Sequence, residues 1–166
     1  MTLDPLTAAP DDALLAEITG VYASNPDFHR ISGDFPDPHD VRPEQVAASL
    51  NAELVQPTAE FLLAREDGVL VGVAATLGEH PDPIDPYPWL GLLLVHGDHR
   101  RQGHGRRIVA LVEERFRAAG RDGLRLAVLD GNTAALAFWR AQGYRVIDHR
   151  PDRQQFRPCS VFHKEL

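Results

Sequence analysis

The chain has 166 residues, 43% hydrophobic and 25% charged, proportions that suit one soluble globular domain and argue against a disordered chain, a collagen or a membrane protein. The longest apolar run, Trp89 to Val95, is far short of the ~20 residues of a membrane helix, Met1 to Pro5 lacks the pattern of a secretory leader, and the lone cysteine, Cys159, excludes an internal disulfide and a cysteine-based zinc cage, so a cytoplasmic protein is expected. The net charge of -7 is uneven: residues 1–90 carry 3 Arg and no Lys against 16 acidic residues, whereas residues 91–166 carry 13 Arg and 1 Lys against 8.

Eleven of the 13 prolines fall in residues 1–90, which are therefore cut into short elements. Thr2 to Thr7 reads as an edge strand. Asp11 to Tyr22 reads as a helix, with start signals at Pro10-Asp11-Asp12 and a stripe of Leu14, Leu15, Ile18 and Val21. Asn25 to Asp34 reads as irregular. Pro43 to Leu54 is a second helix with proline in its first turn. Glu60 to Arg65 and Val69 to Leu77 flank Glu66-Asp67-Gly68, a hairpin signal. A proline-rich loop, Gly78 to Pro88, precedes a strand from Trp89 to Val95 that is expected to be buried.

The turn from His96 to Gly103 opens a third helix that runs to about Ala119. Its inner face is Ile108, Leu111, Val112 and Phe116, and Glu113 and Arg117 are expected to pair on the outer side. Leu124 to Leu129 is a strand. Asn132 caps a fourth helix to Ala141, with Gly143 as its C′ residue. Tyr144 to Asp148 and Pro158 to Lys164 are the last strands. The order β-α-α-β-β-β-α-β-α-β-β predicts an α/β (α+β) domain over residues 1–166, with a mixed sheet of about seven strands and four helices.

The charge asymmetry points to an anion held by the C-terminal half, with a cationic ligand favoured by the N-terminal half; solvated surfaces alone also produce it. An acidic chain without a basic stripe interleaved with aromatics argues against nucleic acid.

The most informative stretch is Leu93-Leu94-Val95-His96-Gly97-Asp98-His99-Arg100-Arg101-Gln102-Gly103-His104-Gly105-Arg106-Arg107. A strand feeds a turn, and the turn opens a helix whose first N–H groups lack internal partners and carry the positive end of the dipole. Gly103 and Gly105 lack a Cβ, so a phosphate can approach the main chain, and the surrounding arginines add charge. The physics predicts a diphosphate-binding turn. No Gly-Lys-Ser/Thr follows, which excludes a Walker loop, and the third glycine of a dinucleotide fingerprint is missing.

Arg100-x-x-Gly103-x-Gly105 after a Leu-Leu-Val strand resembles the acetyl-CoA motif of the GNAT N-acetyltransferases. Asn132-Thr-Ala-Ala-Leu-Ala-Phe138-Trp139-Arg-Ala-Gln-Gly143-Tyr144 resembles the family's second motif. The resemblance covers Trp89 to Ile147, and it implies the acetyl-CoA-binding part there. It implies that main-chain groups of Leu93, Leu94 and Val95 pair with the pantetheine arm, in a splay between this strand and Leu124–Leu129. Amides of Arg101, Gln102, Gly103, His104, Gly105 and Arg106, with Arg100 beside them, would hold the diphosphate. Asn132 and Trp139 would flank the pantetheine end. A main-chain N–H near Val95 would stabilise the developing oxyanion.

Two departures from the family's pattern stand out. Trp139 occupies the place where many relatives carry a tyrosine, and an indole does not give up its proton. Ala127 stands where protein N-terminal acetylases of the family often have glutamate, which argues against that subclass. The strand Trp89–Val95 holds no carboxylate, so Glu79, at the end of the preceding strand, is the expected base. Tyr22, Asn25, Phe28 and His29 fall where relatives build the acceptor wall. His96, His99 and His104 straddle a turn rather than one helical face, which argues against a metal site.

These readings imply direct acetyl transfer from acetyl-CoA to a primary amine of a small molecule. Acetylation of a peptide or protein amine, and a CoA-binding module without catalysis, are the alternatives. A homodimer is compatible with the family. No metal and no membrane partner is expected.

Overall fold

The computed structural model describes residues 1–152 and 155–166. The chain runs β1 (Thr2–Pro5), α1 (Asp12–Ala23), α2 (Pro26–Ser32), α3 (Pro43–Glu53), β2 (Ala59–Glu66), β3 (Val69–Leu77), β4 (Trp89–Val95), α4 (His104–Ala118), β5 (Gly123–Leu129), α5 (Thr133–Ala141), β6 (Arg145–Pro151) and β7 (Pro158–Glu165). One seven-stranded sheet is ordered β1-β2-β3-β4-β5-β7-β6. Its neighbours are antiparallel except β4 and β5, which are parallel.

The sheet separates two cores. Ile18, Val21 and Tyr22 of α1 and Val46 and Leu50 of α3 cover one face together with Phe61 and Val73. Ile108, Val112 and Phe116 of α4 and Trp139 of α5 cover the other, over Leu124, Leu126 and Phe162. Burial of these stripes holds short helices that would be marginal alone. Gly72 is where α4 meets the sheet: a Cβ there would stand 2.6 Å from Leu94 O and 2.9 Å from Ile108 Cδ1.

Three expectations need correction. The stretch Asn25 to Asp34 contains a helix, α2, so five helices occur among the described residues. Pro26 occupies its first turn, and Gly33 closes it in the left-handed region at φ 70°. Second, Glu113 is not on the outer side with Arg117. It is buried, accepts from Lys164 Nζ at 2.8 and 2.9 Å and from the Tyr144 hydroxyl at 3.1 Å, and so ties α4 to β7. Arg117 pairs instead with Glu114, 2.8 Å away. Third, β4 is not a buried strand: Leu90 and Leu94 are buried, Leu92 and Leu93 are half-buried, and Gly91 is exposed.

The reason for that exposure is the separation of β4 from β5. Their ladder consists of one pair, Trp89 with Arg125, after which they diverge. β4 also carries an irregularity at Gly91, since Ala75 pairs with Leu92 and Thr76 with Leu90. The extra residue switches faces: Leu90 joins the core under α4, whereas Leu92 packs into the core under α1.

Candidate active site

A cleft of about 420 Å³ fills the space that the diverging strands leave, with Leu93 on the β4 side, Val128 on the β5 side and Asn132 and Trp139 from α5. Its far end is formed by Phe28 and Ile31 of α2, by Asp34, by Glu53 at the end of α3, and by Asp152 and Arg157.

Strand alternation decides which main-chain groups face the cleft. The His96 amide donates to Val71 O at 2.9 Å. Leu94, two residues back, therefore turns its amide and carbonyl to β3, whereas Leu93 and Val95 turn theirs toward the side that β5 has left. The expected trio of Leu93, Leu94 and Val95 is thus reduced, because Leu94 is committed to the sheet. The Val95 carbonyl is also taken: it accepts from Asn25 Nδ2 at 3.1 Å. Of the three residues, Leu93 lines the cleft.

The turn into α4 is shaped as a nest of donors. Arg101 at φ 61° and Gly103 at φ 81° are both left-handed, and residues of alternating hand turn successive amides toward one point. Gly103 is the N-cap, with no side-chain bond to the helix, and a Cβ on it would meet nothing within 4 Å. The first return bond of α4 runs from the Arg107 amide to Gly103 O, so the amides of His104, Gly105 and Arg106 precede any intrahelical partner. Around the nest, Arg101, Gln102 and Arg106 are exposed. Gln102 Nε2 donates to Asp98 O at 3.1 Å. The Arg100 guanidinium donates to Asn25 Oδ1. His104 is turned inward, with Nδ1 buried and unpartnered. Gly105 faces Phe138 of α5, and a Cβ there would make only an ordinary contact, 3.5 Å from the ring.

Asn132 caps α5, its Oδ1 accepting from the Ala135 amide at 3.1 Å, while the same residue lines the cleft. Trp139 is buried between Phe138 and Tyr144, with ring centroids 5.0 and 5.1 Å away, and reaches the cleft wall. Tyr144 is a core residue, 2% exposed with its hydroxyl donating to Glu113, and burial, followed by the Glu113 charge and hydrogen bond, pushes that hydroxyl's pKa up.

Glu79 is not brought to the cleft. Its side chain is exposed, and its nearest ionic neighbour is Arg121 at 3.9 Å. β3 and β4 are antiparallel, so the end of β3 lies beside the start of β4, where β4 and β5 are still paired. The carboxylates at the cleft are Asp34, Glu53 and Asp152, which the sequence reading missed. Asp152 is occupied by its own turn, accepting from the amides of Gln155 and Arg157 at 2.8 Å and from Arg157 Nε at 2.9 Å. Glu53 is an exposed residue at the cleft wall, and desolvation of its carboxyl, followed by the charge of Asp34, pushes that carboxyl up.

His29 belongs to the wall's framework. It is 1% exposed, its Nε2 donates to Tyr22 O at 2.9 Å, and burial lowers its pKa. His96, His99 and His104 lie near one another, with ring centroids 5.6 and 6.0 Å apart in succession. Among the described residues, no group of three or more His, Cys, Asp or Glu side chains is arranged to hold a metal ion.

Comparison with known proteins bears on the family and the fold. Residues 25–144 match the family model described as Acetyltransferase (GNAT) family. A mycothiol acetyltransferase of Kineococcus radiotolerans is 45% identical over 56 residues, 34% of this chain, and the match spans 18% of that protein. An acetyltransferase from Thermus thermophilus superposes with a TM-score of 0.73 at 27% identity, covering 100% of this chain and 98% of that one. The PaiA N-acetyltransferase from Thermoplasma acidophilum, solved in complex with coenzyme A, superposes with a TM-score of 0.69 at 17% identity over 100% of both chains. With a family model matched over most of its length, and a fold shared with a solved acetyltransferase, the chain belongs to the GNAT family of acetyltransferases.

Proposed function

We propose that this acyltransferase takes acetyl-CoA with the pantetheine arm in the β4–β5 cleft and the diphosphate on the amides of residues 101–106, and passes the acetyl group to a primary amine of a small cationic molecule. The observation that carries this reading is one of position. The opening between β4 and β5 and the donor nest before α4 are consecutive along the chain, so a single extended ligand with an anionic linker spans both. The residues fit such a ligand, because Gly103 leaves open space where a Cβ would stand and the helix-start amides point outward from α4. Residues 89–147 form this cofactor-binding part.

Acetyl-CoA supplies an activated acyl carbon; the chain supplies the placement of charge around it. An N–C bond forms as a C–S bond breaks, so the amine must lose a proton and the acyl oxygen needs a donor. Strand alternation turns the Leu93 and Val95 amides to the same side; we assign the donor to Leu93, which lines the cleft, and the sequence-expected Val95 amide lies two residues farther along the same edge. Glu53 and Asp34 draw the cationic acceptor in. Glu53, whose proton affinity is raised, accepts the proton directly or through water. Trp139 packs beside the departing sulfur, which takes its proton from water.

Thiol release from acetyl-CoA over a panel of small amines tests this reading, with coenzyme A binding measured alongside. Turnover on one or more amines supports it. The presence of Trp139 in the tyrosine's place favours a second reading, a coenzyme A-binding module, which tight binding with no turnover on any amine would support. Turnover on peptide amines alone would move the acceptor to that class.

A further inference from the structure

Asn25 sits where α1 hands over to α2, and it is 4% exposed. Its Nδ2 donates to Val21 O at 2.7 Å and to Val95 O at 3.1 Å, with Ser24 Oγ at 3.2 Å. Its Oδ1 accepts from the Arg100 guanidinium. An arginine only donates and a carbonyl only accepts, so the orientation of this amide is fixed by its neighbours. Ser24 reinforces the junction, donating to Val21 O at 2.8 Å and accepting from the Gly97 amide at 2.9 Å. The approach is close enough that a Cβ on Gly97 would lie 3.0 Å from Ser24 O.

Two consequences follow from the strand geometry. The departure of β5 leaves the Val95 carbonyl without a strand partner, and Asn25 supplies the missing donor. Arg100, which immediately precedes the nest residues 101–106, is aimed by the same side chain. The cofactor turn is thereby tied to the corner from which α2 carries Phe28 and Ile31 to the cleft.

We propose that Asn25 is a positioning residue for the cofactor turn: it fixes the end of β4 and the direction of Arg100, so that the amides of residues 101–106 converge on one anion. The inference rests on the diphosphate reading of that turn. Only an amide of this length meets both demands. Aspartate would keep a partner for Arg100 but set an oxygen against Val95 O, and alanine would leave both partners bare.

Calorimetric binding of coenzyme A and of pantetheine, which lacks the diphosphate, separates positioning from loosening of the fold. The proteins are wild type, Asn25→Ala, Asn25→Asp, Arg100→Ala and the Asn25→Ala/Arg100→Ala pair, each with its unliganded melting midpoint. Asn25→Ala and Arg100→Ala are each expected to weaken coenzyme A about tenfold, and the pair to be no worse than about tenfold, because the two residues act as one unit. Asn25→Asp is expected to weaken coenzyme A as well, and pantetheine binding to change less than about twofold throughout. Losses that multiply in the pair, or fall equally on both probes, would overturn the proposal, as would unchanged coenzyme A affinity in Asn25→Asp and Arg100→Ala. A wild-type protein that binds no coenzyme A would instead bring down the functional reading, and this inference with it.

Discussion

The two ends of the β4–β5 pair are built on opposite plans. At the closed end Trp89 and Arg125 are paired, and side chains hold them there. Asp85 accepts from the Trp89 indole at 3.0 Å, from the Tyr87 amide at 3.1 Å and from Arg125 at 2.8 Å, while the Arg125 guanidinium lies over the Tyr87 ring, 4.5 Å from its centroid. At the open end no ladder joins the strands, and the nest before α4 is made of main-chain amides with no side-chain cap. The contrast shows how a sheet can keep a permanent gap. Side chains lock the closed end, and at the open end the strand edge is left to the Leu93 main chain, which lines the cleft, while the Val95 carbonyl is taken by Asn25.

The largest expected effect is at the open end. Gly103→Asp puts a carboxylate in the nest and should weaken coenzyme A by about 100-fold or more, as measured by calorimetry, because the new charge competes for the same amides. The open space around that Cβ means the fold should survive, with a penalty of about 1 kcal/mol for a left-handed non-glycine residue. Unchanged coenzyme A affinity would break the comparison at once.

Next is Glu53→Gln, which should lower kcat by about 100-fold with coenzyme A affinity unaltered, if Glu53 is the base. Because Glu53 is pushed up, the acidic limb of the wild-type pH–rate profile should lie above the ordinary glutamate value of about 4.3 and flatten in the variant. An identical limb in the variant would remove Glu53 from the role.

At the closed end the effect should be on stability. Asp85→Asn removes the charge that faces Arg125 and should cost about 2 kcal/mol in denaturant unfolding near neutral pH. Burial pulls the Asp85 carboxyl up, but the Tyr87 amide, Arg125 and Trp89 outweigh it and hold the carboxyl below its usual range. A lowered pKa gives stability that is present above the unfolded value and lost as pH falls through the folded one. The gap between wild type and Asp85→Asn should therefore narrow as pH drops below about 4, and a constant gap would contradict the ion-pair account. The smallest effect is expected of Glu79→Gln, whose kcat should stay within about twofold of wild type, since a base must reach the proton it takes.

Legibility in the sequence followed the range of the interactions. The strand, turn and helix around Gly103 were readable because glycines, arginines and the apolar stripe of α4 lie within one local stretch. Asn132 was readable as a cap for the same reason, as was the hairpin at Asp67-Gly68. α2 was missed although Pro26 and Gly33 mark its ends, because seven residues whose buried members are His29 and Ser32 show no apolar period. Glu113 was misread because its partner, Lys164, is 51 residues away, and a local i,i+4 arginine offered an easier explanation. Glu79 was misplaced by its nearness in sequence to β4, since the antiparallel turn-back puts it at the closed end. The acidic end of the cleft, Asp34 and Glu53, assembles from separate segments and has no local signature.

Residue-resolved amide hydrogen exchange, with and without coenzyme A, tests the central claim most directly. The amides of Leu93, Val95 and Gly103 to Arg106 should gain protection when coenzyme A is added, while those around Trp89 and Arg125 stay unchanged. Protection that appeared elsewhere, with the β4 edge and the start of α4 exchanging as freely as before, would contradict the account.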